Sequence, residues 1–184
     1  QYLNFDNWTN ITAYGTHTNA DQWVIVNTRS TTGSADDQAR VLIGKSGVMN
    51  QSGEQPYLRS PYLPEGIGEI SFWYRNWESN GVTPGAIVIE KAVSADGPWT
   101  SIAAITNVLA FDYLFYTLPY SDRDSRYIRL VSSNQPPRLC FDEIIVAEPP
   151  AGVIFTNLSI SPSAPASTNP VTVSVVITNK AGAS

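Results

Sequence analysis

Trp73, Arg75 and Trp77 stand at alternate positions of one short run, and Glu90 follows on the next apolar segment. Flat indole faces match the C–H faces of sugar rings, while a guanidinium and a carboxylate match the hydroxyls around their edges. These four residues are therefore the candidate ligand-binding set, with a glycan as the ligand. The competing reading is packing, with both faces of the strand buried and Arg75 and Glu90 forming an internal ion pair. Catalytic chemistry has little to work with. His17 is the sole histidine and lies in a Thr- and Asn-rich loop, so a Ser-His-Asp arrangement is not expected. Paired carboxylates act on glycosidic bonds without histidine, and Glu65, Glu69, Glu78 and Glu90 all lie near the Trp73 run. Glu65 and Glu69, however, flank a turn, where acids are ordinarily solvated. A non-catalytic protein is the expectation.

The element that must position the indoles is Leu58 to Trp77, LRSPYLPEGIGEISFWYRNW. Pro61, Pro64, Gly66 and Gly68 punctuate its first half with turns, and from Ile70 the side chains alternate. Ile70, Phe72 and Tyr74 share one face; Ser71, Trp73, Arg75 and Trp77 share the other. Further strands are predicted at Tyr2–Trp8, Gln22–Asn27, Arg40–Ile43, Ala86–Ala92, Ser101–Ile105, Ala110–Leu118, Arg126–Ser132 and Leu139–Ala147, with loops over Ser30–Gln38 and Ser46–Gln55. Ala86–Ala92 is expected to pair antiparallel with Ser71–Trp77, which would bring Glu90 to the indole face. Asp96 and Gly97 supply left-handed positions for a hairpin before Trp99. Roughly nine or ten short strands separated by turns predict an all-β jelly-roll β-sandwich over residues 1–148.

Composition agrees with that class. Charged residues make up 15% of the 184, and Thr, Ser, Asn, Gly and Pro fill the gaps between apolar runs. The formal net charge of -5, without any basic block, argues against nucleic acid as a partner. One cysteine, Cys140, allows no disulfide within a monomer, so the sandwich stands on packing. No segment approaches the roughly 20 apolar residues of a membrane span. Residues 149–152, Pro-Pro-Ala-Gly, read as a linker, and 153–184 carries two β-rich runs that cannot bury a core alone.

The phrases LRSPYLPEGIGEISFWYRN, SADGPWTSIAAIT, RYIRLVSS and LCFDEIIVAEP, in that order, resemble the jelly-roll modules of large secreted bacterial proteins, related in architecture to MAM and concanavalin-like domains. The resemblance covers about Tyr2 to Glu148. The paired cysteines of animal MAM domains are absent, which places the likeness with the bacterial relatives. It implies an extracellular or cell-surface location within a longer multidomain protein. Together with the indole-bearing face it leads to glycan binding as the expected role, the alternatives being a structural or adhesive spacer or a subunit of an extracellular filament joined through its C-terminal strands. Residues 153–184 resemble the start of an immunoglobulin-like repeat; because two strands without the rest of a domain would leave backbone groups unpaired, contact with neighbouring domains or with copies of the same chain is expected there. Such modules often carry a structural calcium ion. First and last strands of a jelly roll lie side by side, so Asp6 and Asp142 are the candidate metal ligands, as hard oxygen donors.

Overall fold

The computed structural model describes residues 1–6, 8, 11–77, 83–133 and 137–151, and the backbone of 153–161 and 172–179. Strands β1 Tyr2–Leu3, β2 Gly15–Thr18 and β3 Val24–Ser30 lead to a single helical turn, α1 Ala35–Gln38, then to β4 Gly47–Met49 and β5 Tyr57–Arg59. The next are β6 Ile70–Asn76, β7 Gly85–Ala92, β8 Thr100–Val108, β9 Leu114–Leu118, β10 Tyr127–Ser132 and β11 Leu139–Val146. Two compact units result, Gln1–Pro149 and Pro150–Ser184. In the second, β12 Val153–Ser161 and β13 Thr172–Asn179 pair antiparallel with each other.

The first unit is a jelly-roll β-sandwich made from one continuous antiparallel path, β8-β7-β10-β5-β3-β4-β11-β6-β9, with β1 joined to β11 and β2 to β3. The path becomes two layers because β3 changes partner midway. Val24–Val26 pair with Tyr57–Arg59, whereas Thr28–Ser30 pair with Gly47–Met49. Asn27 makes the corner at φ 46°, a left-handed conformation that asparagine tolerates better than most residues. Its amide Nδ2 donates to the carbonyls of Ser52 and Glu54, and its Oδ1 accepts from Asn50.

Alternation then buries one face from each layer. Ile87, Ile89, Ile128, Leu130 and Leu58 meet Ile70, Phe72, Met49, Leu139 and Phe141, with Phe5, Trp8 and Trp23 closing the ends. Gly47 is glycine because a Cβ there would lie 2.2 Å from the Phe5 ring. Burial on this scale supplies the stability that disulfides would otherwise provide.

Several sequence expectations give way to the topology. β7 pairs with β8 and β10, while β6 lies between β11 and β9, so the expected pairing of 86–92 with 71–77 does not form. β7 lies in the opposite layer from β6, and buried Asn76 donates to the carbonyls of Thr83 and Val108. Arg40–Ile43 is not a strand. Instead β4 and β5 form within turn-rich sequence, since each needs only three residues to bridge its neighbours. In the 94–97 turn only Gly97 adopts positive φ.

Candidate functional site

On the outer face of β6, Ser71, Trp73 and Arg75 line up with β11 and β9 in register. Asp142 and Phe115 flank Trp73, and Cys140 lies opposite Arg75. Trp73 is half-buried, its ring 5.1 Å from that of Phe115, which is 53% exposed. Arg75 donates from Nε to the Asn76 carbonyl and lies 5.8 Å from the centre of the Tyr113 ring. These two predicted residues are brought together.

Trp77 is not a platform. Only 4% of it is exposed, and it packs with Val48 and Cys140 against Tyr14 and Tyr113. The cause is the segment from Thr31 to Ser46, which folds over this end of the sheet. Arg40 donates from Nε to the Trp77 carbonyl, and the Tyr113 hydroxyl donates to the Arg40 carbonyl. Guanidinium groups of Arg40, Arg29 and Arg138 then surround the indole at 4.4, 5.7 and 5.7 Å. Glu90 is also misplaced by the sequence reading. It lies in the other layer, where its carboxylate accepts from Arg129, because β7 joins β10 rather than β6. Glu78 lies outside the described residues.

Asp6 and Asp142 converge on one loop. β1 runs beside β11, with Tyr2 opposite Ile145 and Leu3 opposite Ile144. Asp6 accepts from the Lys45 N–H at 2.7 Å, and Asp142 accepts from the Ser46 hydroxyl at 3.0 Å and the Glu143 N–H at 2.9 Å. Among the described residues no group of three or more His, Cys, Asp or Glu side chains gathers to hold a metal. Calcium takes six to eight oxygens, whereas these carboxylates, as arranged, face N–H and O–H donors.

The charge state of Asp142 distinguishes an ion-free site from a calcium-bound one. Asp142 is 0% exposed, and burial pushes its carboxyl up to about 6, against the pull of the Ser46 and Glu143 donors. A carboxyl raised above its unfolded value stabilises the fold fully below about pH 4 and loses that contribution as pH rises through about 6. Asp142→Asn is therefore predicted to raise stability at pH 7.5, by about 3 kcal/mol at most, and to leave it nearly unchanged at pH 4. A bound calcium ion would require the carboxylate and reverse the sign. Thermal melts of both proteins at the two pH values, with chelator and then with excess calcium, distinguish these outcomes; a mutant destabilised only when calcium is present would establish the ion.

The opposite layer carries an arrangement that the sequence reading missed. Tyr127 and Arg129 alternate with core residues Ile128 and Leu130 along β10, and Arg129 stands opposite both Glu90 of β7 and Arg59 of β5. The Arg129 guanidinium lies 4.4 Å from the Trp99 ring and 5.4 Å from that of Tyr57. Arg59 lies 5.7 Å from the Tyr127 ring, which meets Tyr62 edge-on at 5.8 Å. Beside this pair opens a cleft of about 430 Å³, where Tyr62, Tyr127 and Pro61 face Thr18, Gln22 and Arg59. Tyr62 is 54% exposed. The cleft thus combines apolar ring surface with a few hydrogen-bonding groups. The signal was present in RYIRLV, whose alternation puts Tyr127 and Arg129 on one outward face.

A larger hollow, about 650 Å³, lies beside Lys91, Pro98, Thr100 and Tyr120. Two of its charged groups, Lys91 and Asp122, are committed to each other. Asp122 accepts from Lys91, the Ser125 hydroxyl and the N–H groups of Asp124 and Ser125. Burial works against the charge, yet these donors prevail and hold its carboxyl well below the usual range.

No protein-family model and no curated protein matches the sequence. Solved structures do share the fold. The K1 cleaved adhesin domain of Lys-gingipain from Porphyromonas gingivalis W83 is similar over 80% of this chain and 96% of its own, at 14% identity and a TM-score of 0.56. The K2 cleaved adhesin domain of Lys-gingipain aligns over 80% and 97%, at 10% identity and a TM-score of 0.58. A structure of the CBM22-1 and GH10 modules of a Clostridium thermocellum endo-1,4-β-D-xylanase, complexed with xylohexaose, matches 80% of this chain and 28% of its own, at 16% identity and a TM-score of 0.51. The chain therefore shares its β-sandwich fold with two adhesin domains and with a xylanase structure that contains a carbohydrate-binding module. At these identities the likeness concerns the fold alone. Among the described residues no helix is long and apolar enough to cross a membrane.

Proposed function

We propose that this chain is a non-catalytic glycan-binding module that works outside the cell as part of a longer secreted or surface protein. The observation that carries the reading is the Tyr62–Tyr127 cleft. A pyranose presents C–H groups to one side and hydroxyls at its rim, and here two tyrosine rings and a proline adjoin Thr18, Gln22 and Arg59. The sandwich holds the strand residues rigidly, since Arg59 and Tyr127 project from paired strands. Structural similarity to adhesin domains and to a xylanase structure containing a carbohydrate-binding module is compatible with this reading.

Tyr62→Ala is the direct test. Affinity electrophoresis through gels containing soluble polysaccharides should show retention of the wild-type protein and its loss in the variant. The thermal midpoint should hardly move, because a half-exposed side chain outside the core contributes little to folding. A variant retained like the wild type would remove the cleft from consideration.

A second reading, an adhesive or structural spacer, draws on the sheet edge at β9. Leu114 and Phe115 are exposed there on a strand whose one partner among the described residues is β6, a surface suited to protein contact. Residues 153–184 would then serve as a joint to neighbouring domains or copies of this chain.

A further inference from the structure

Arg59 is a cation on this face that pairs with no carboxylate among the described residues. The ion pairs among the described residues join Arg29 to Asp37, Arg40 to Asp36, Lys91 to Asp122 and Arg129 to Glu90, and Arg59 enters none of them. Its register partner across the β5–β10 ladder is another cation, Arg129, whose carboxylate lies on the far side, on β7. Like charges directly opposite on a sheet face destabilise it. Nor is Arg59 tied into a hydrogen-bond network. Nη1 donates to the Ala95 carbonyl at 3.2 Å, while the buried Nε–H has no acceptor among the described residues. A guanidinium held for structural reasons ordinarily has its donors matched, and an unmatched buried donor is unfavourable.

The position of this group narrows its use. Arg59 lines the cleft beside Tyr127 and Tyr62, so an anion reaching it would be attached to something lying against the rings. Resting on the glycan reading of that cleft, we infer that the ligand is an acidic polysaccharide whose uronic acid carboxylate accepts from Arg59 while its pyranose ring lies on Tyr62 and Tyr127. A planar carboxylate suits the planar guanidinium fork, and the hydrogen bonds are charge-assisted. The ligand charge also relieves the repulsion between Arg59 and Arg129. Diffuse attraction is not the source, because the chain carries a net charge of -5 and repels a polyanion as a whole.

The experiment uses the full chain and two forms of one polymer, polygalacturonate and its carboxyl-reduced derivative, with sulfated dextran as a third probe. Titration calorimetry should show binding to polygalacturonate and a roughly ten- to hundredfold loss on carboxyl reduction, the range expected for hydrogen bonds to a charged group. Arg59→Gln should reproduce that loss, Arg59→Lys should recover part of the affinity, and Arg123→Gln, which removes one charge from a surface loop, should change it little. Equal binding of both forms, insensitive to Arg59→Gln, would overturn the acidic-ligand inference and leave the glycan cleft standing. Preference for sulfated dextran over polygalacturonate would overturn the carboxylate assignment. Binding to none of these polymers, or to any neutral polysaccharide, would defeat the glycan reading and the inference together.

Discussion

Replacing Trp77 by alanine is expected to lower the stability of the 1–149 unit by about 3–5 kcal/mol, the usual loss for truncating a buried aromatic. The indole fills a small core of its own between the sheet and the Thr31–Ser46 segment, with Val48, Cys140, Tyr14 and Tyr113 around it. Removing it opens a cavity that these side chains can close only by moving strand backbone. Three guanidinium groups would also lose the ring they lie against, each contact being worth about 0.5–1 kcal/mol or more where water is excluded. Urea unfolding followed by tyrosine and tryptophan fluorescence reads the change directly. An unfolding free energy within a few tenths of a kcal/mol of the wild type would mean that Trp77 is solvated after all, and would restore it as a ligand platform.

Trp77 also marks where sequence reasoning succeeds and where it stops. Alternation from Ile70 to Trp77 correctly separated Ile70, Phe72 and Tyr74 from Trp73 and Arg75, because period-two patterning is a property of the strand itself. The same rule would have put Tyr127 and Arg129 on an outward face had it been applied to function. What covers an outward face depends on distant chain. Nothing in the composition of 31–46 announces that it returns over the β6–β11 end, and so a buried indole and an exposed one read alike. Strand order failed for a related reason. Adjacent strands most often pair, but β6 and β7 sit in opposite layers, and this moved Glu90 away from Trp73 to Arg129. Asp6 and Asp142 were placed together by the one long-range rule available, that the first and last strands of such a sandwich adjoin.

Asp37→Ala is expected to be as damaging as the loss of Trp77, at about 3–5 kcal/mol, because it leaves a nearly buried guanidinium without its anion. The pair is bidentate, Arg29 Nη1 to Oδ2 at 2.8 Å and Nη2 to Oδ1 at 2.9 Å, and Asp37 also accepts from the Thr32 N–H. Burial by itself would raise the Asp37 carboxyl, but the bonds from Arg29 and Thr32 outweigh it and hold the group down to about 2. A depressed carboxyl stabilises the fold above its unfolded value near 3.8, and that contribution is lost as pH falls through about 2. Of the difference between wild type and Asp37→Ala, about 2 kcal/mol should therefore disappear between pH 5 and pH 2. A difference constant across that range would show that the charge is not what Arg29 requires. The mutation should also couple to Trp77. Asp37 lies on the single turn α1, and Arg29 reaches from β3 past the Trp77 ring to hold it. Releasing that turn loosens the cover over the indole, so much of what Trp77 contributes is lost already in Asp37→Ala. The double variant should then be less destabilised than the sum of the two single variants, by about 1 kcal/mol or more, as expected for groups that share partners. Simple additivity in a double-mutant cycle would mean that the ion pair and the indole act independently, and that the Thr31–Ser46 segment is held down by its other bonds.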